Sequence, residues 1–402
     1  MAQPVRESTV AAHPMIFYAA HGGSNACGPG CSEWIAAEGE IDDGSANRLQ
    51  RLLFQLNGAR LPIFFDSPGG KVITAMELGR LIRARQLTVS VGHTIPLGCD
   101  LDSTGEKSEK SCAAKISAGH QIEAELSSAA MCNSACVDAM AGGAVRLIPP
   151  GVSLGVNNVD VDPTRQTLLG TRVMQAREET IRLRLRHYIR IMGIDGRLLD
   201  QAFAIPHASI GRLSREDAAR FGLDRREFGE TVWRFVDAPA PAINKDFFVR
   251  TSGLESRQEP HYVDGRVSLS CATTPGDQYA LTFGRALLVS DPPSGSSAQP
   301  PVSIRLSKKN VSLSRQEHPT FYLRATQLAA TALDGVADDA TMSLPGAEFG
   351  RVDAPAGDIT LTMDGFSAAY ARLQSACAQV ATAKPAPLAK SANAAPALWV
   401  VH

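Results

Sequence analysis

Residues Met131–Asn158 read MCNSACVDAMAGGAVRLIPPGVSLGVNN, and this stretch decides the fold. Ser134 stands between Cys132 and Cys136, with small residues and the pair Gly142–Gly143 behind it. Small residues around a serine at a loop-to-helix entry let its Oγ face a cleft and set the next N–H, that of Ala135, beside it. A buried serine that lets a helix pack closely leaves the same trace, so the stretch needs support from elsewhere in the chain.

Upstream, FFDSPGGKV (residues 64–72) supplies a second signal. An apolar strand ending in Ser-Pro-Gly-Gly and running into a helix exposes backbone N–H groups at a helix N-terminus, where they can hold an anion or a developing oxyanion. Glycine there lets a substrate approach the backbone closely. Around these two segments strands and helices alternate. WIAAEGEI reads as a strand, and Ser45 is expected to cap a helix carrying Leu49, Leu52, Leu53 and Leu56 on one face. LPIFF (61–65) suits a buried parallel strand. A helix from Lys71 presents Val72, Ala75, Gly79 and Ile82, and LTVSVG (87–92) is the next strand. After the serine turn come strands at AVRLI and VSLGV and an Arg-rich helix over about 167–192. SRED (214–217) is a capping box opening a helix that ends near Gly222, and ETVWRFV is a final strand. This alternation predicts an α/β fold with a largely parallel sheet.

The expected organisation is a flexible N-terminal segment (1–32) and an α/β domain (33–236) with a polar insertion over about 93–128. A Pro-rich linker (237–248), a β-rich domain (249–381) of short alternating strands and a disordered Ala/Pro/Lys tail (382–402) follow. The chain is 402 residues long, 44% hydrophobic and 20% charged, with a net charge of −1, enough apolar content for a core and no electrostatic footprint for nucleic acid. No apolar run reaches the roughly 18 residues of a membrane span. The eight cysteines lack zinc-site spacing, so no metal and no cofactor is expected; their even number predicts disulfides and a periplasmic or secreted location. No export signal is legible at the start of the sequence. Cys271 and Cys377 can staple the β-rich part. Around Ser134, either a Cys132–Cys136 bridge clamps the turn, or each cysteine pairs with Cys99 or Cys112 and ties the insertion over the serine. A reactive thiol would need a basic neighbour, and none is visible locally.

The motifs AAEGEI, FDSPGGKV, ELGRLIR, CNSACVDAMAGGAVRLI, GVSLGV and LSREDAARFGLD occur in an order that resembles the Clp protease proteolytic subunit and its crotonase-fold relatives. The nearest likeness is to an exported bacterial branch with a Cys-x-Ser-Ala-Cys signature. The resemblance covers residues 34–235. It implies a ClpP/crotonase-like ββα superhelix, Ser134 as nucleophile, and an oxyanion hole from Gly69, Gly70 and the Ala135 N–H. It also implies ring contacts through the Arg-rich helix, hence self-association. Two positions depart from the pattern. Asn157 stands where the family has its histidine, and PHASIGR holds no acid where the family has its aspartate. Asparagine can hydrogen-bond but cannot take a proton from serine near neutral pH.

Another group could supply the base. A downstream lysine, as in signal-peptide peptidases, is missing, since no lysine lies between Lys115 and Lys245. Lys71 reads as a solvated helix-start residue. His93, His120 and His207 remain; His93 is the candidate base, because without the insertion its strand would run almost directly into the serine turn. Asp160 and Asp162 read as a turn. The expected function is therefore a peptidase-like serine hydrolase with Ser134 as nucleophile and a non-standard or missing base, acting on a peptide or protein. The alternative is an inactive relative that binds a peptide or other partner. A coenzyme A thioester enzyme is disfavoured by the cysteine usage and by the lack of a Glu pair in the matching loops.

Overall fold

The computed structural model describes residues 13–99, 112–159, 171–251, 261–272, 279–287, 301–316, 318, 321–349 and 358–382. The chain divides into two compact units, the first running to Arg226 and the second from Glu227, with residues 23–30 also grouped with the second. The overall class is mixed α/β with a β-rich second part.

In the first unit the elements are β1 (Ile16–His21), β2 (Glu33–Glu38), α1 (Ser45–Gln55), β3 (Ile63–Asp66), α2 (Val72–Ala84), β4 (Thr88–Val91) and β5 (His93–Pro96). Then come α3 (Cys112–Ser117), β6 (Ile122–Ser127), β7 (Met131–Asn133), α4 (Ala135–Ala141), β8 (Val145–Leu147), β9 (Ser153–Val156), α5 (Thr171–Ile191), α6 (Arg197–Phe203), β10 (Gly211–Arg212) and α7 (Arg215–Phe221). Seven strands form one sheet in the order β5-β6-β1-β2-β3-β4-β8, and β10-β9-β7 form a second. Strands β2, β3, β4 and β8 run parallel, which places their carboxyl ends on one edge of the sheet. Parallel strands with both faces covered are mostly apolar, as IFF is here, while TVSV buries Val89 and Val91 together with Ser90.

The helices meet through glycines. A Cβ on Gly142, just past α4, would lie 2.1 Å from the Gly79 carbonyl oxygen in α2, so the two backbones touch. This accounts for the first glycine of the pair behind the serine helix. Arg83 then donates to the buried Gly142 and Gly143 carbonyls at the end of that helix, and Arg146 to that of Gly143, at 2.9 Å each. Helix α5 buries Leu185, Tyr188 and Ile189 while exposing Val173, Leu183 and Ile191.

The second unit holds β11 (Phe228–Glu230), β12 (Arg234–Val236), β13 (Ala242–Arg250), β14 (Tyr262–Cys271), β15 (Tyr279–Ala286), β16 (Val302–Leu306), β17 (Lys309–Gln316), β18 (Phe321–Leu328), β19 (Thr341–Leu344), β20 (Ile359–Thr362) and α8 (Phe366–Thr382). These ten strands form one sheet, all described pairings being antiparallel. Cys271 at the end of β14 is bridged to Cys377 in α8, fastening the helix to the sheet.

The structure differs from the sequence expectations at five places. The N-terminal segment contains β1, whose residues Tyr18 and Ala20 are buried in the middle of the seven-stranded sheet; the apolar run was masked by flanking Pro and Gly. The insertion is not merely an excursion, because β5 and β6 extend the same sheet, with β6 parallel to β1. ETVWRFV does not close the α/β unit: β11 and β12 pair with β13 in the second unit. Most of the expected linker is likewise β13 itself, with Ile243, Phe247 and Phe248 fully buried. Ser45 is the first residue of α1 rather than its cap. Its hydroxyl donates to Asp42 Oδ1 at 2.8 Å and accepts from the Asp42 N–H at 3.0 Å. The capping box does form: Ser214 and Asp217 exchange side-chain to backbone hydrogen bonds at the start of α7, and Gly222 ends it with φ 80°. The tail beyond residue 382 lies outside the described residues.

Candidate functional site

The serine turn is built by backbone pairing. Beyond β3, the Ser67 N–H donates to the Met131 carbonyl at 2.8 Å, and the Asn133 N–H donates to the Ser67 carbonyl at 3.0 Å. This lays β7 alongside the Ser-Pro-Gly-Gly segment. The chain then turns abruptly: Ser134 has φ 53° and ψ −127°, its N–H donates to the Gly155 carbonyl at 2.8 Å, and α4 begins at Ala135. A non-glycine residue in this region costs on the order of 1–3 kcal/mol and is kept only where its surroundings over-determine it. Here the Cys132–Cys136 disulfide spans the turn on both sides of the serine.

Gly69 and Gly70 have φ 111° and 132°, a region that favours glycine. A Cβ on Gly69 would lie 2.7 Å from the Asn133 carbonyl oxygen, 2.8 Å from Ser134 Cβ and 3.2 Å from the Ala135 nitrogen. The glycine turn therefore lies directly against the serine, and any side chain would push them apart. The Gly69 carbonyl accepts from the Ile41 N–H, and the Lys71 N–H donates to the Ile41 carbonyl, so the turn is anchored on both sides. The Gly69 N–H donates to Ser67 Oγ at 3.2 Å. Neither the Gly70 nor the Ala135 N–H meets an acceptor among the described residues.

Asn157, just after β9, donates from Nδ2 to the His207 carbonyl at 2.7 Å. Its Oδ1 is buried without a partner, as is Asn133 Oδ1. Asn157 and the PHASIGR segment are thus joined to each other, side chain to backbone. No hydrogen bond from any described residue reaches Ser134 Oγ.

His93 is engaged elsewhere. Glu38 and Asp66 are the last residues of β2 and β3 and stand directly opposite each other in the parallel register. His93 begins β5, with Gly92 alone between it and the end of β4, and its Nδ1 lies 3.0 Å from Glu38 Oε2 and 3.0 Å from Asp66 Oδ2. The remaining oxygens are also held: Glu38 Oε1 accepts from the Thr94 N–H at 2.7 Å, and Asp66 Oδ1 from the Met131 N–H at 2.9 Å. Both carboxylates are buried, and burial pushes the Glu38 carboxyl above the usual range. Hydrogen bonds to Asp66 and then to Glu38 push His93 up to about 10, against the pull of its own burial. An imidazole held in this way carries its proton at neutral pH, and it makes no hydrogen bond to Ser134.

Glu38 and Asp66 lie within the motifs AAEGEI and FDSPGGKV, which by themselves give neither acid a role. The signal that could have found them is an acid closing each of two successive apolar strands, immediately before a glycine turn. The other candidates fall apart from the site. Lys71 pairs with Asp43 on the surface, and His120 is exposed after α3. Asp160 and Asp162 lie outside the described residues. All eight cysteines are disulfide-bonded, which removes the reactive-thiol reading. Cys99 pairs with Cys112, so the insertion is closed on itself and not tied to the serine turn.

No known family profile and no curated protein matches the chain. Among solved structures the chain is similar to a point mutant of ClpP1 from Listeria monocytogenes, with 13% identity and a TM-score of 0.30 over 54% of this chain and 91% of that one. It is also similar to ClpP1 from the same organism, with 14% identity and a TM-score of 0.29 over 46% of this chain and 85% of that one.

Proposed function

We propose that residues 34–235 form a peptidase-like serine hydrolase in the Clp proteolytic-subunit and crotonase superfamily, with Ser134 as its nucleophile. The observation that carries this reading is the backbone of Ser134, φ 53° and ψ −127° on a strand-to-helix turn. A serine forced into this conformation between a strand and a helix is the arrangement of a nucleophile elbow, and the strain has no packing purpose that a glycine would not serve better. Attack by Ser134 Oγ on a peptide or ester carbonyl would put negative charge on the carbonyl oxygen. The Gly70 and Ala135 N–H groups, with Gly69 giving the close approach, supply donors for it.

Asn157 cannot serve as base, and no described side chain hydrogen-bonds Ser134 Oγ. Catalysis would then rest on position and the oxyanion donors. Where a triad is broken, these alone leave on the order of 10³–10⁴-fold acceleration over water, so a slow enzyme is expected. The same observation favours a second reading, a module that binds a peptide or protein in this cleft without cleaving it. Treatment with a fluorophosphonate probe separates the two. The hydrolase reading expects a slow adduct, seen by intact mass, that disappears in Ser134→Ala. No Ser134-dependent adduct across pH 6–10 would leave the binding reading.

The complete pairing of the cysteines supports an oxidising compartment, so we place the protein in the periplasm or outside the cell. Among the described residues no helix is long and apolar enough to cross a membrane.

A further inference from the structure

We infer that Glu38, Asp66 and His93 form a binding site for one divalent transition-metal ion, held by Glu38 Oε2, Asp66 Oδ2 and His93 Nδ1. The inference does not rest on the role of Ser134.

The distances fit. Two donors each ~2.1 Å from an ion lie ~3.0 Å apart at right angles and ~3.4 Å apart at the tetrahedral angle. His93 Nδ1 is 3.0 Å from each carboxylate oxygen, and the three donor atoms all lie within 4.8 Å of one another. The ion would take the place of the proton that Nδ1 now shares between the two acids.

The surroundings are those of a prepared site. The outer oxygen of each carboxylate is fixed by a backbone N–H, from Thr94 and from Met131, leaving the inner oxygens turned toward the histidine. Such supporting bonds orient metal ligands and tune them. The cluster sits beyond the carboxyl ends of β2, β3 and β4, the edge at which open α/β sheets hold their ligands. The carboxylates are 4% and 2% exposed while the histidine side chain is 40% exposed, so the donors are desolvated yet an ion has a way in.

An independent observation comes from the neighbouring strand. The Tyr18 hydroxyl is buried and has no hydrogen-bond partner, although buried hydroxyls are almost always paired. Tyr18 lies opposite Ala36 in β2, two residues from Glu38 on the same face of the sheet, and it feels the Glu38 charge. A hydroxyl orphaned next to a buried acid is suited to a water on the ion. Two carboxylate ligands also match the charge of one dication. One imidazole and two carboxylates suit Zn²⁺ or Mn²⁺, with further positions left for water or substrate.

The test uses the full chain, stripped with chelator and titrated calorimetrically with Zn²⁺ and with Mn²⁺. Co²⁺ substitution reads coordination directly through its visible spectrum. The proposal expects one equivalent bound, a Co²⁺ spectrum typical of N/O ligands, and affinity weakened by about tenfold or more in Glu38→Gln and in His93→Ala. Ser134→Ala should bind as the unaltered protein does. Thermal melts of each variant establish that it is folded. Should a variant unfold, the wild-type stoichiometry and Co²⁺ spectrum still decide. Failure of either ion to bind, or binding equally tight in folded Glu38→Gln, would overturn the site and leave a buried ion pair only.

Discussion

The serine turn and the Glu38–Asp66–His93 cluster lie on neighbouring strand ends and are built in opposite ways. The turn has position without proton chemistry: a strained backbone, two glycines, a disulfide, and, among the described residues, no titratable group bonded to the hydroxyl. The cluster has proton chemistry without a nucleophile: two buried acids and a histidine bonded to one another. Among the described residues only Asp66 touches both, giving one oxygen to His93 and the other to the Met131 N–H that begins β7. On the proposed reading, the position of a nucleophile and the acid–base groups that would serve it are separable parts, and finding one does not license assuming the other.

The link through Asp66 is the place to break this comparison with the largest effect. Asp66→Ala would leave Glu38 buried beside an under-paired His93 and free the Met131 N–H. It is expected to destabilise the first unit by about 3–5 kcal/mol, measured by denaturant unfolding. Gly69→Ala comes next. Its new methyl would meet Asn133 and Ser134 at φ 111°, and the expected loss is about 2–3 kcal/mol together with all Ser134 labelling. Cys132→Ser combined with Cys136→Ser isolates the clamp. A closed loop this short contributes about 2 kcal/mol in the chain-entropy account, and the turn should label more slowly once it can relax.

The smallest effect concerns pH. Asp138, buried in α4, is pushed up to about 8 by loss of hydration. Its folded-state value is raised, so the native protein keeps a proton that the unfolded chain gives up above about pH 4. Stability should therefore fall as pH rises from 4 toward 8, and Asp138→Asn should flatten that fall. Melting temperatures at pH 5 and pH 6 check it: one pH unit on this slope is worth about 1.4 kcal/mol, a difference of a few degrees.

Much of the frame was legible in the sequence. LPIFF, DSPGG and CNSAC follow from local rules: apolar runs make buried strands, and glycines mark sharp turns. The capping box at Ser214 was legible for the same reason, and the bridge between Cys271 and Cys377 from the even number of cysteines and their place near the two ends of the β-rich part. What was not legible depends on strands meeting across the sheet. IFYAAH carries no periodicity that marks it as a central strand, since both its faces are covered. Glu38, Asp66 and His93 belong to three strands and acquire a common role only through the parallel register and the departure of β5 from β4. No spacing rule brings them together. The boundary between the units was misplaced because β11 and β12 are short strands that resemble the end of an α/β pattern, yet their partner, β13, lies downstream.

The central claim is that the reactivity of Ser134 comes from its backbone setting and not from His93. The direct measurement is the rate of Ser134 fluorophosphonylation in the unaltered protein and in His93→Gln, both verified as folded. The account predicts a Ser134-dependent adduct in each, with rates within about threefold. A general base is worth about 10²–10⁴-fold, so a loss of that size in His93→Gln, or no adduct in either protein, would contradict it.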